Sequence, residues 1–142
     1  MKYLFILLFA FSASAKTCAT NLKSFRELVG DENFALSWIE TTADDGKPLV
    51  VKITEVSDKL FLQFVKTKEG LWAEGTADIC KEDEIVASIS KEQIKLGKAA
   101  HWAIKMSMKG GAKFTLKMTD KKLKISTFGW KGDFVPEVSP GN

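Results

Sequence analysis

The sequence of 142 residues has one histidine, His101, and two cysteines, Cys18 and Cys80. These scarcities exclude a good deal of chemistry. A zinc or iron centre needs three or four ligands, and with a single imidazole on offer neither a metal site nor a cofactor is expected. A serine or cysteine nucleophile needs a base beside it, and Ser88, Ser90 and Ser107 have no nucleophile-elbow glycines around them. Carboxylate pairs suited to glycoside hydrolysis occur at Asp44-Asp45 and Glu82-Asp83-Glu84, but both sit in turn-like segments where solvated acids are ordinary. An enzyme is therefore the least favoured class. The chain also has no Asn-X-Ser/Thr triplet, no internal repeat and no apolar run of the roughly 20 residues that cross a bilayer.

What it does have at its start is an export signal. Lys2 is followed by an apolar run from Tyr3 to Phe11, and Ala13-Ser14-Ala15 places small residues where signal peptidase reads them. Removing Met1–Ala15 leaves 127 of 142 residues, enough for one hydrophobic core. The expected organisation is a signal peptide over 1–15, one domain over 16–134 and a loosely ordered tail over 135–142 containing Pro136, Pro140 and Gly141. Without Lys2, 20 basic residues face 18 acidic ones, a balance that favours neither nucleic acid nor an anionic membrane as partner. Two cysteines in an exported domain of this size imply a Cys18–Cys80 disulfide. A bacterial periplasmic or secreted protein fits best.

Helical spacing of Cys18, Leu22, Phe25 and Leu28, with Gly30 as a stop, predicts a helix over Thr17–Val29. Beyond Gly30 the period is two. Phe34, Leu36 and Trp38; Val51 and Ile53; and Leu60, Leu62 and Phe64 each fall on one side of a run. Trp102, Ile104, Met106 and Met108 alternate with Ala103, Lys105, Ser107 and Lys109, and Phe114, Leu116 and Met118 oppose Lys113, Thr115 and Lys117. The short turn signals between runs predict antiparallel neighbours, with Met106 opposite Phe114, Met118 opposite Leu123 and Lys117 opposite Lys124. About nine such strands and one small helix predict an all-β fold: an antiparallel meander closed as an up-and-down β-barrel or curled half-barrel, with a β-sandwich as the alternative. The run from Leu71 to Cys80 carries small residues on its Ala73-Gly75-Ala77 face, where the helix could dock, or where Gly75 could mark a bulge, and sets Trp72 and Glu74 on the other face.

By architecture this pattern resembles the lipocalin-like barrels, an analogy of fold alone. Ala35-Leu36-Ser37-Trp38 follows a helix where lipocalins carry a glycine and tryptophan, although Leu36 stands at the glycine's place and no arginine occurs in Lys124–Trp130. Leu71-Trp72-Ala73-Glu74-Gly75 resembles one strand of small periplasmic lysozyme inhibitors. The leading expectation is a noncatalytic binding protein with an interior or rim site for a small hydrophobic ligand, lined by Trp38, Trp102, Met106, Phe114 and Met118. The alternative is a protein-interaction module, such as a hydrolase inhibitor, acting through loops and the Trp72 or Trp130 region. Lys105, Lys113, Lys117, Lys122 and Lys124 form a candidate basic surface on the outside.

Overall fold

The computed structural model describes residues 16–137; residues 1–15, expected as a signal peptide, and residues 138–142 lie outside the described residues. Eleven antiparallel strands and two short helices build a curled half-barrel, in place of the sandwich alternative. In chain order they are β1 (Thr17–Ala19), α1 (Leu22–Val29), β2 (Ser37–Glu40), β3 (Leu49–Val56), β4 (Lys59–Lys66), β5 (Gly70–Thr76), β6 (Asp78–Lys81), β7 (Ile85–Ser90), β8 (Lys95–Leu96), α2 (Trp102–Met108), β9 (Gly111–Thr119), β10 (Lys122–Thr127) and β11 (Trp130–Pro136). One sheet runs β1-β6-β7-β9-β10-β11-β2-β3-β4-β5-β8. β5 and β6 are two halves of one extended run that bends at Ala77, whose N–H bonds the Leu60 carbonyl. They pair with β4 and β7 respectively, so this single run carries the curl of the sheet from one end to the other.

The N-terminus departs from the sequence expectation. The helix begins at Leu22 rather than Thr17, because Asn21 caps it: the Asn21 side chain accepts from Ser24 N–H while Ser24 Oγ accepts from Asn21 N–H. Residues 17–19 instead form β1, and Cys18 lies directly opposite Cys80 on β6, where the two are disulfide-bonded. The bridge thus joins two neighbouring strands, with Cys18 lying outside the helix in which the Thr17–Val29 expectation places it. That helix ends at Gly30 in the left-handed region and seals one end of the barrel. Phe25 is fully buried, meets Phe34 edge-on at 5.4 Å, and Phe34 lies on Trp38 at 5.0 Å.

Residues 102–108, expected as a strand, are helix α2. His101 caps it through Nδ1, which accepts the Ala103 N–H at 3.3 Å. With no strand there, β9 pairs with β7 instead, and Phe114 lies opposite Ala87 rather than Met106. The next hairpin has the expected register, with Met118 opposite Leu123 and Lys117 opposite Lys124. β11 continues through Val135 and Pro136, which pair with Ile39 and Trp38, so ladder pairing reaches into the segment expected to be loose.

Inward side chains of both halves form one core. Phe64 on β4 stacks on Phe114 of β9 at 4.6 Å across the interior, and both are fully buried. Gly75 leaves room for the connection after β7: a Cβ there would meet the Gln93 carbonyl oxygen and Ile89 Cγ2, each at 2.6 Å. Its small size therefore admits the β7–β8 segment, neither a helix nor a bulge.

Candidate functional site

The end of the barrel opposite α1 is an open mouth, assembled from strand ends that continue the inward phase of the core. Trp38 points inward on β2, so Glu40 does too; Phe64 points inward on β4, so Lys66 follows; Phe134 and Gly132 on β11 bring Trp130 to the same rim. Trp72 reaches it by a different route. β4 and β5 pair Phe64 with Ala73 but Val65 with Leu71, leaving Trp72 as the extra residue of a bulge. The bulge turns Trp72 to the inside, 5% exposed, and the outward orientation expected from alternation is lost.

Two indoles make the floor. Trp72 lies 5.5 Å from Phe64 and 5.4 Å from Trp130, and Trp130 in turn contacts Phe134 at 6.2 Å. Gly132 makes room for this floor of aromatic rings, since a Cβ there would come within 3.0 Å of Trp130 Cζ2 and 3.2 Å of Glu40 Oε2. The segment from β8 to β9 contributes Ala100, His101 and Ile104 to the opposite wall. The resulting groove encloses about 640 Å³ and mixes apolar surface with charge from Glu40, Asp44, Asp45, Glu69, Lys66, Lys98 and Lys131.

The polar wall is held by defined contacts. Glu40 Oε1 accepts the Leu49 N–H at 3.0 Å, fixing the carboxylate at the β2–β3 rim. Lys66 Nζ donates to Asp45 at 2.8 Å and Lys47 Nζ donates to Glu69 at 3.1 Å, tying the β2–β3 loop to the β4–β5 turn. The hydrogen bond from Lys66, followed by that from the Lys47 N–H, lowers the Asp45 carboxyl below its ordinary range. Because the folded-state value is depressed, this tie is intact above the ordinary carboxylate range and is lost as pH falls through the lowered value. Both pairs are exposed enough that they order the loops more than they stabilise the fold.

The residues singled out from the sequence for an interior ligand separate. Trp38 and Phe114 are buried in the core, and Trp38 Nε1 donates to the Ala35 carbonyl at 2.7 Å. Trp102 and Met106 lie outside on α2, 71% and 67% exposed, and Met118 is exposed near the far end of β9. The inward orientation expected for Trp102 and Met106 fails because a helical turn, unlike a strand, sends them away from Ile104 and Met108. Glu40 and Lys66 were missed; the signal was a charged residue in phase with the core face at the last position of a strand.

Lys113, Lys117, Lys122 and Lys124 share the outer face of β9 and β10, while Lys105 belongs to α2. Lys117 and Lys124 face one another directly, and Lys124 also faces Asp133 on β11. Replacing both lysines by glutamine is expected to raise stability by a few tenths of a kcal/mol, about 0.3, since like charges opposite on a sheet are mildly destabilising. A urea midpoint that falls would show that Asp133 outweighs the repulsion. Among the described residues no three His, Cys, Asp or Glu side chains come together as a metal site, and no serine or cysteine lines the mouth.

No family model, no curated protein and no solved structure matches this chain.

Proposed function

We propose that this chain is an exported, noncatalytic binding protein that holds a small hydrophobic or amphipathic ligand at the barrel mouth. The observation that carries this reading is the Trp72–Trp130 floor: a half-exposed indole resting on a buried one, framed by inward-turned Glu40 and Lys66. Concave apolar surface with a few placed polar groups is the usual form of a small-molecule site. The stack of Phe64 on Phe114 occupies the interior below and favours the rim over the barrel axis. His101 uses Nδ1 to cap α2, which suits a wall residue better than a general base.

The disulfide, together with the absence among the described residues of a helix able to cross a membrane, is compatible with export. The leader-like segment Met1–Ala15 supports a periplasmic or extracellular setting, with a bacterial source as the proposed one. The second reading is a protein-interaction module, such as a hydrolase inhibitor, in which a partner's side chain occupies the same open groove.

Binding of anilinonaphthalene sulfonate, an apolar ring system with one charge, tests the site. Trp130→Ala is expected to weaken it by about tenfold or more, on the scale of losing one aromatic contact, and Trp102→Ala to leave it unchanged. Equal binding by wild type and Trp130→Ala would overturn the rim site. Native mass spectrometry separates the two readings: a retained small molecule favours the first, a captured protein the second.

A further inference from the structure

We propose that the β9–β10–β11 wall, together with α2, docks onto an anionic phospholipid surface. The small net charge of the chain conceals a segregation: residues 94–131 carry ten lysines and one acid, Asp120, while the other residues after Ala15 carry seventeen acids and ten bases. Register gathers much of that basic segment on one side. Lys117 pairs with Lys124 and Ser126 with Lys131, so the outward lysines alternate with buried Phe114, Leu116, Leu123 and Ile125. Two acids lie beside this surface: Asp133 faces Lys124, and Glu84 precedes the Ile85–Leu116 pair. The ion pairs formed among the described residues use Lys47 and Lys66 of the mouth loops, not the lysines of this wall.

Basic charge alone suits any polyanion; the apolar side chains at its mouth end select a bilayer. Trp102 and Met106 are one helical turn apart on α2 and project to solvent beside Lys105 and Lys109. Phe128, 86% exposed, forms the tip of the β10–β11 hairpin, next to Trp130 and Lys131. Aromatic rings favour the headgroup region, where both apolar and polar atoms find partners, and each lysine held near an anionic surface strengthens binding about fivefold. This surface is distinct from the Trp72–Trp130 floor and does not depend on the ligand proposed there.

Co-sedimentation with vesicles tests the proposal on the mature, disulfide-bonded protein. Binding is expected to phosphatidylcholine vesicles containing phosphatidylglycerol, not to phosphatidylcholine alone, and to weaken steeply between low salt and physiological ionic strength, where the screening length is about 8 Å. Lys105→Gln with Lys109→Gln should weaken it about thirtyfold, and Trp102→Ala with Phe128→Ala at least about tenfold. All four positions are exposed, and an unchanged circular dichroism spectrum verifies that each variant folds. Equal binding to both vesicle types would overturn the proposal. So would heparin binding of equal strength combined with vesicle binding that is indifferent to the aromatic substitutions, which would mark a general polyanion surface.

Discussion

Replacing Cys18 and Cys80 together by serine is expected to reduce stability by about 4 kcal/mol, the loop-closure entropy of a cross-link spanning 62 positions. For a domain of this size, that corresponds to a drop in Tm of roughly 15 °C, at about 4 °C per kcal/mol. The loop closed by the bridge contains α1 and β2 to β5, which includes much of the core and both sides of the mouth's polar wall. Its ends are direct partners in the β1–β6 ladder, so the folded state needs no rearrangement to keep the bond. Thermal unfolding of the oxidised protein and of the double-serine variant measures the effect. A loss below about 1 kcal/mol would show that β1 opens independently of the barrel, leaving the cross-link without a cooperative unit to constrain.

Phe114→Ala is expected to cost a similar amount, about 3–5 kcal/mol, for removal of a fully buried ring and the cavity left behind. The ring bridges the curl by stacking on Phe64, so its loss empties the interior where opposite walls meet. Phe128→Ala removes the same side chain from an 86% exposed turn and should change stability by no more than about 0.5 kcal/mol. Denaturant unfolding of both variants compares burial at constant chemistry. A cost near 1 kcal/mol at Phe114 would mean that the interior collapses readily around the vacancy, and would weaken the argument that side chains, rather than a ligand, fill the barrel axis. A double-mutant cycle with Phe64→Ala should yield a coupling of about 0.5–1.5 kcal/mol for the stacked pair.

Much of the wall was legible because its signal is local. In β3, β4, β9 and β10, strict alternation makes one face apolar, and a one-residue slip would expose every core side chain at once. The Lys117–Lys124 and Met118–Leu123 pairs follow from that alternation plus the Asp120-Lys121 turn. The mouth was only half legible. Trp72 and Trp130 stood out as tryptophans, but their meeting at 5.4 Å depends on a bulge between strands whose partner positions no local pattern records.

The sequence by itself determined the alternation of the strands, the pairing of the only two cysteines and the hairpin register from β9 to β10, because each rests on period, count or a short turn. The tertiary structure decided three other matters. Residues 102–108 satisfy both a strand period and a helix period; the helix is selected by the His101 cap and by Ile104 and Met108, one turn apart, reaching the core without any partner strand. The bend at Ala77 splits one run between strands near the two ends of the sheet, a division that only the curl of the half-barrel accommodates. The cysteine strand formed where a helix was expected because a ladder with β6 satisfies the backbone of residues 17–19, whereas the Asn21 cap starts the helix at Leu22, five positions after Thr17. Local periodicity fixes which face of a segment is apolar; where two periods both bury that face, long-range backbone pairing makes the choice.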